Sequence, residues 1–160
     1  MQAYTVTQKL LSLGAVYEVR EEGNNEVIMT AKGKVIAITP SITLMEGTEG
    51  AVIATLKGNF LKTTFTAFDA NNNQIAVIKF PLIPILMNFS LIIGETVYKV
   101  KKALLSLTFS DAQKDSPANI EVSKKAGFKD KFNVVANDSI AKEVAILTAV
   151  TVDQKFFEGK

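Results

Sequence analysis

The chain has 160 residues, 48% of them apolar, and its 18 basic and 16 acidic side chains leave a net charge of +2. This length predicts one domain over residues 1–160, and the apolar fraction excludes an intrinsically disordered chain. There is no histidine and no cysteine, which excludes disulfides, thiol chemistry and the commonest general base. The nearly equal numbers of basic and acidic side chains do not indicate nucleic-acid binding.

Three similar segments in the first half predict three β-hairpins: Glu18–Lys32, Thr43–Lys57 and Phe65–Lys79. In each, an apolar run meets an acidic turn rich in Gly or Asn, and a second apolar run ends on lysine. Gly and Asn tolerate the backbone conformations of tight turns. The second strands alternate, so one face is expected to cover a core. Consecutive hairpins form an antiparallel meander, which closes into a barrel or folds into a sandwich.

The hairpins are followed by a segment that two prolines interrupt, Pro81 and Pro84. Proline lacks the N–H that a central strand donates, so Pro81–Ile85 is predicted to be an irregular crossover. Its apolar side chains are expected either to pack partly outside the barrel or to form an exposed lip: Leu82, Ile83 and Ile85.

Five more short strands are predicted in the second half. They are Phe89–Ile93, Thr96–Lys101, Leu104–Phe109, Asn119–Val122 and Phe128–Val135. Gly94-Glu95 predicts a turn between the first two, and the polar stretch Ser110–Ala118 predicts a long loop. The total is about twelve strands.

The last predicted element is a helix over Ile140–Gln154, which contains neither Gly nor Pro. Asn137-Asp138-Ser139 is interpreted as its N-cap cluster. The run Val144–Val152 is apolar on every side of such a helix, which indicates enclosure on all sides. The alternative is an unusually apolar last strand. With the helix, the sequence predicts a mainly β fold, a closed antiparallel barrel of about twelve strands enclosing a hydrophobic C-terminal helix.

No segment is predicted to cross a membrane. The N-terminus lacks the continuous apolar run of a secretory signal. The apolar stretch at 80–94 contains two prolines and is shorter than the roughly 20 residues that span a bilayer. We therefore expect a cytoplasmic protein without a transmembrane segment.

The chain resembles the LURP-one-related proteins of the tubby C-terminal-like superfamily, to which phospholipid scramblases also look related. The matching features are the opening YTVTQKLLSLG (Tyr4–Gly14), the hairpins that end Ala-x-Leu-Lys or Ala-x-Ile-Lys, and the apolar helix followed by VDQKFFEGK (Val152–Lys160). The resemblance covers essentially the whole chain. It implies a closed barrel of about twelve antiparallel strands around a hydrophobic C-terminal helix.

The resemblance also implies two kinds of membrane function. Tubby-type members bind phosphoinositides through clustered lysines and arginines. Scramblase-type members carry a cysteine-rich palmitoylated segment and a terminal membrane helix. This chain has no cysteine and ends just past the apolar helix, so we expect the scramblase apparatus to be absent.

Three lysine clusters are candidate sites for anions such as lipid head groups. The densest is Lys99, Lys101 and Lys102, the next is Lys124 and Lys125, and the third is Lys129 and Lys131. Lys99 and Lys101 share one face of a predicted strand, where each lysine contributes about 1 kcal/mol near an anionic surface. The alternative is a solvated barrel exterior on which lysines protect strand edges.

Other motifs point to structure rather than chemistry. Asp69, Asn71 and Asn73 imitate the start of a calcium loop, but Gln74 stands where that loop requires glycine, so a hairpin turn is predicted. No glycine-rich phosphate loop and no pair of carboxylates for acid–base work is recognisable. We therefore expect no enzyme activity, no metal and no cofactor.

These observations predict a non-catalytic module that binds anionic phospholipid head groups or docks peripherally at a membrane surface. The alternative is a structural or protein-interaction domain with no small-molecule ligand.

Overall fold

A computed structural model describes residues 1–11, 14–35, 37–82, 89–114, 118–124 and 130–157. Within them lie twelve strands, one α-helix (α1, Lys142–Val152) and a π-helical turn (Asp153–Phe157). The strands are β1 Gln2–Leu11, β2 Gly14–Glu21, β3 Met29–Lys34, β4 Ser41–Glu46, β5 Val52–Gly58, β6 Thr64–Asp69, β7 Gln74–Lys79, β8 Ser90–Ile93, β9 Thr96–Lys102, β10 Ser106–Asp111, β11 Ile120–Lys124 and β12 Lys131–Ala136.

The twelve strands form one closed antiparallel barrel in which each strand pairs with its neighbours in sequence. The first and last strands close the ring, so that Tyr4 of β1 lies opposite Val134 of β12 and Glu21 of β2. Closure leaves none of these twelve described strands with a free edge for pairing with another chain. The predicted mainly β, twelve-strand barrel is therefore confirmed, and the sandwich is excluded.

The up-and-down order places successive connections at alternate ends of the barrel. One end of the barrel carries the β2–β3, β4–β5, β6–β7, β8–β9 and β10–β11 connections. We call it the entry end, because α1 begins there. Gln2, at the start of β1, donates its Nε2 to the carbonyl of Ile140, just before α1, at 2.7 Å. The opposite end is the exit end, where the π-helical turn lies. There Gln154 Nε2 donates to Gly33 O at 3.0 Å.

The three hairpins predicted from the repeat are confirmed as β2–β3, β4–β5 and β6–β7. In β5, Ala54 and Leu56 are buried while Lys57 is exposed, as the alternation predicts. The turn after β6 is organised by Asp69, whose Oδ1 accepts the backbone N–H of Asn71 and of Asn73, each at 2.9 Å. The calcium-like pattern is therefore a hairpin turn.

The predicted strand Leu104–Phe109 begins two residues too early. The strand β10 begins at Ser106, and the two leucines form a turn that Ala103 N closes by donating to Ser106 O at 2.8 Å. An apolar turn cannot be told from a strand by periodicity. The predicted loop at Ser110–Ala118 also begins later, because β10 continues to Asp111.

The described residues include the beginning of the segment that contains Pro81 and Pro84. The strand β7 ends at Lys79, and Pro81 lies in no strand, as predicted. Leu82 is exposed, which agrees with the expected lip. Ile83, Pro84 and Ile85 lie outside the described residues, as does Phe128 at the predicted start of the last strand.

The predicted helix exists, but its predicted N-cap is wrong. The helix α1 begins at Lys142 with Ala141 at the N-cap position, and no side chain caps it. Asn137 Oδ1 instead accepts Ser139 N at 3.0 Å, and Asp138 binds the N-terminal ammonium at 2.7 Å. Short polar side chains satisfy a local turn as readily as a helix end, so the cluster forms the turn that precedes α1.

The side chains of α1 from Val144 to Val152 are all buried. The inward residues of the strands are buried as well, among them Tyr17, Phe65, Phe109 and Phe132. None of the helical segments that the structure describes combines the length and apolar character required to cross a bilayer.

Candidate functional site

Charge is segregated between the two ends of the barrel. Four even-numbered strands (β2, β4, β6 and β10) end on an acidic residue, and strands of that direction end at the entry end. The carboxylates at the entry end include Glu21, Glu22, Glu26, Glu46, Glu49, Asp69, Glu95, Asp111, Asp138 and Glu143. The N-terminal ammonium and the basic side chains Arg20, Lys114 and Lys142 lie among them, so this end is predominantly acidic.

The exit end is predominantly basic. The strands β3, β7 and β9 end on lysine, and β5 has a lysine one residue before its end. The exposed lysines at these positions and at the start of β12 are Lys34, Lys57, Lys79, Lys101, Lys102 and Lys131. Within the described part of this end, Asp130 is the exposed carboxylate. An anionic surface would therefore be attracted to this end and repelled by the other.

The predicted cluster on β9 is divided by the pleat of the strand. Lys99 and Lys101 are exposed on the outer face, on the side of β9 opposite the buried Tyr98. Lys102 extends from the other face at the exit end, where its Nζ lies 6.0 Å from the ring centroid of Phe156. Lys101 and Lys102 therefore belong to the basic exit end, whereas Lys99 lies further along the barrel wall.

Lys124, predicted as an exposed anion-binding lysine, lies inside the barrel end. Its side chain is only 10% exposed, and its Nζ lies 2.9 Å from Oδ1 of Asp153, which is 1% exposed. Tyr17 donates its hydroxyl to the other carboxylate oxygen at 3.3 Å. Lys124 therefore neutralises a charge of its own chain. Lys125 and Lys129 lie outside the described residues.

Burial dominates the electrostatics of this ion pair. It raises the pKa of Asp153 above its ordinary value, although the contacts with Lys124 and Tyr17 act in the opposite direction. Removing a carboxylate from water costs more than the nearby ammonium returns. The pair therefore fixes the end of α1 to β11 and β2 rather than offering a charge to a ligand.

The two residues after Asp153 are also anchored to the exit end. Gln154 Oε1 accepts the N–H of Val35 at 2.7 Å, on the segment that follows β3. Lys155 donates to the carbonyl of Lys62 at 3.0 Å and lies 4.4 Å from the ring centroid of Phe80. Burial lowers the pKa of Lys155, and the charge of Lys62 lowers it further. The π-helical turn is thus held to the barrel by three successive side chains.

A partial signal for these inward residues exists in the sequence. Lys124 continues the alternation of Ile120 and Val122, which are buried, so its inward direction follows once β11 is extended by two residues. The segregated charge is also visible as acidic turns and lysine strand ends. The pairing of Lys124 with Asp153 joins distant segments, and no local pattern encodes it.

Two further observations concern the acidic side chains of the described residues. A cleft at the entry end is lined by Glu21, Glu26, Glu46 and Lys142 among others, a set that does not suit an anion. No three acidic side chains within the described ranges converge as metal ligands would.

A comparison with models of known protein families finds no match, and no curated protein matches the chain.

Proposed function

We propose that this protein is a non-catalytic module that docks on anionic membrane surfaces through the exit end of its barrel. The observation that carries the proposal is the placement of exposed lysines at the exit-end termini of β3, β5, β7, β9 and β12, with the acidic turns at the other end. A lysine near an anionic bilayer contributes about 1 kcal/mol. Several lysines on one end give an oriented attraction that the net charge of +2 does not reveal.

We infer that the barrel encloses α1, which makes the exit end a rigid platform. Nine successive side chains of α1 are buried, although they point in all directions around the helix axis. Eleven residues span roughly 16 Å, similar to the height of a six-residue strand that is tilted in a barrel. The helix therefore reaches from one end to the other, and its last turn is fixed to the loops that would face the lipid.

The resemblance to LURP-one-related and tubby C-terminal-like proteins supports the same proposal, since lipid head groups are bound through basic side chains in the tubby type. Lys101 and Lys102 are the residues of the predicted cluster that we assign to the contact, with Lys99 beside them on the barrel wall. The anionic lipids of the cytoplasmic leaflet are the partner that suits this charge. We accordingly propose a cytoplasmic, peripheral location and no enzymatic activity.

A vesicle-binding assay with two charge-matched variants tests the proposal. Lys101→Ser/Lys102→Ser removes two positive charges at the exit end, and Lys114→Ser/Lys142→Ser removes two at the entry end. At about 1 kcal/mol for each lysine, the first variant should bind phosphatidylserine vesicles roughly 30-fold more weakly than wild type. The second should bind nearly as well as wild type.

Salt and lipid composition provide the controls. Binding to neutral phosphatidylcholine vesicles should be much weaker, and binding to phosphatidylserine vesicles should fall steeply with salt, because the screening length shortens from about 10 Å at 0.1 M to about 3 Å at 1 M. Wild-type protein that ignores anionic vesicles at low salt would disprove the proposal. The structural or protein-interaction role would then be favoured.

A further inference from the structure

The loops of the exit end carry exposed apolar side chains on four successive connections. Ile38 follows β3, Phe60 and Leu61 follow β5, Leu82 follows β7, and Leu104 and Leu105 follow β9. We call these six residues the apolar tips. Their exposures are 88% for Ile38, 80% for Phe60, 64% for Leu61, 72% for Leu82, 89% for Leu104 and 39% for Leu105.

The tight turns of the entry end serve as an internal comparison. They join strands of the same barrel and use Gly, Asn and Asp, as at Gly23, Asn72 and Gly94, each with a positive φ. Turn geometry therefore does not require large apolar residues. The turn at Leu104-Leu105 nevertheless places two leucines in solvent. Exposed apolar groups gathered at one end of a protein indicate an interaction surface.

The β5–β6 loop is held in a defined conformation that presents its apolar side chains. Asn59 Oδ1 accepts the N–H of Thr63 at 2.8 Å and of Thr64 at 3.1 Å, and Asn59 O accepts the N–H of Lys62 at 3.0 Å. The half-buried Lys155 donates to the carbonyl of Lys62. Phe60 and Leu61 are therefore exposed by an ordered loop rather than by a failure to pack.

The arrangement of the tips suits a flat partner. Neighbouring strands lie about 4.8 Å apart, so successive exit-end loops are roughly 10 Å apart along the rim. Four loops thus form an arc wide enough to contact a planar surface together. The exposed lysines Lys34, Lys79 and Lys101 lie on the strands directly behind these loops. Apolar tips in front of a basic ring match the order of a bilayer, in which acyl chains lie beneath anionic head groups.

We propose that the apolar tips insert into the head-group and upper acyl region of an anionic bilayer. The partner is the lipid bilayer itself, and charge complementarity between the basic exit end and anionic lipid is the reason for choosing it over a protein. This inference rests on the proposed function, to which it adds the surface that enters the membrane. Phe60 and Leu61 are the side chains expected to report insertion most directly.

The chain contains no tryptophan, so a single tryptophan is an unambiguous reporter. Phe60→Trp places it on an apolar tip, and Thr48→Trp places it on an exposed entry-end turn as the matched control. On phosphatidylserine vesicles, the emission of the Phe60→Trp variant should shift to shorter wavelength and should be quenched by lipids with a doxyl group high on the acyl chain. The Thr48→Trp emission should change little.

A second pair of variants measures what insertion contributes. Phe60→Ser/Leu61→Ser should lose most of the vesicle binding that persists at high salt and keep most of the salt-sensitive binding at low salt. Val52→Ser, at the entry end where the side chain is 46% exposed, should behave as wild type.

The outcomes separate this inference from the proposed function. Absence of vesicle binding by wild type would overturn both. Salt-sensitive binding with an unshifted Phe60→Trp emission would overturn insertion alone and leave electrostatic docking. A shift that develops with protein concentration in the absence of vesicles would overturn insertion too, because the tips would then face a second copy of the chain.

Discussion

At the scale of single residues, the contact between Lys124 and Asp153 distinguishes a lysine that is paired within the fold from lysines that are exposed. Lysines in a cluster look alike in a sequence, and only the direction of each side chain decides its role. Lys101 points outward from β9, whereas Lys124 meets a carboxylate at 2.9 Å. The lysine cluster was therefore only partly predictable: the alternation within β11 is local, but the position of Asp153 beside it depends on how α1 ends.

Replacing Lys124 by Met should destabilise the protein at neutral pH. The buried carboxylate of Asp153 would lose the ammonium that it contacts, and removing one member of a buried ion pair costs on the order of 3 kcal/mol. Urea denaturation of the single variant measures this loss. Adding Asp153→Asn should restore much of the stability, because neither charge is then buried. Equal stability of wild type and Lys124→Met would show that the pair contributes nothing.

The stability of wild type relative to the Asp153→Asn variant has a predictable pH dependence. Burial raises the pKa of Asp153 above its ordinary value of 3.8, so the folded state holds the proton more tightly than the unfolded state does. The stability from this group is complete below about pH 3.8 and falls as the pH rises through the raised pKa. The stability of wild type minus that of Asp153→Asn should therefore decrease over this window. Subtraction removes the opposite effect of Glu18, whose pKa is lowered mainly by its hydrogen bond from Lys9.

At the scale of elements, strands and helix were predictable to different depths. The hairpins follow from turn chemistry at residues such as Asp69, whose carboxylate bonds the turn that it starts. The helix follows from a long segment without Gly or Pro. The boundaries of the helix could not be predicted in the same way. Asn137 accepts a hydrogen bond within the turn before the helix instead of capping it, and the chain after Val152 forms a π-helical turn. The exposure of Leu104 could not be predicted from the sequence either, because an exposed apolar turn and a buried strand can have the same residue composition.

Leu147→Asp tests the burial of α1. Leu147 is buried, and an aspartate there would place a charge among apolar side chains. The expected cost is several kcal/mol, which is comparable to the whole stability of an ordinary domain. Leu104→Asp is the matched control, because the same exchange at an exposed turn should leave the melting temperature nearly unchanged. A cooperatively folded, stable Leu147→Asp protein would contradict the burial of the helix.

At the scale of the whole molecule, the antiparallel meander places the acidic and basic parts of the sequence repeat at opposite ends of the barrel. Each hairpin carries acid at its turn and lysine at its far end, and antiparallel order stacks all turns at one end of the closed barrel. The sequence contains both halves of this pattern, but their separation appears only when the strands are aligned around the ring. A net charge of +2 therefore describes two ends of opposite character.

This polarity predicts that restoring the net charge at the wrong end will not restore membrane binding. Adding Glu22→Gln/Glu49→Gln to Lys101→Ser/Lys102→Ser returns the net charge to +2, but the recovered charge lies at the entry end. A six-residue strand is up to roughly 20 Å long, about twice the screening length at 0.1 M salt. The variant with all four substitutions should therefore sediment with phosphatidylserine vesicles as weakly as the Lys101→Ser/Lys102→Ser variant. Recovery of wild-type binding would mean that total charge, rather than its placement at the exit end, governs the attraction.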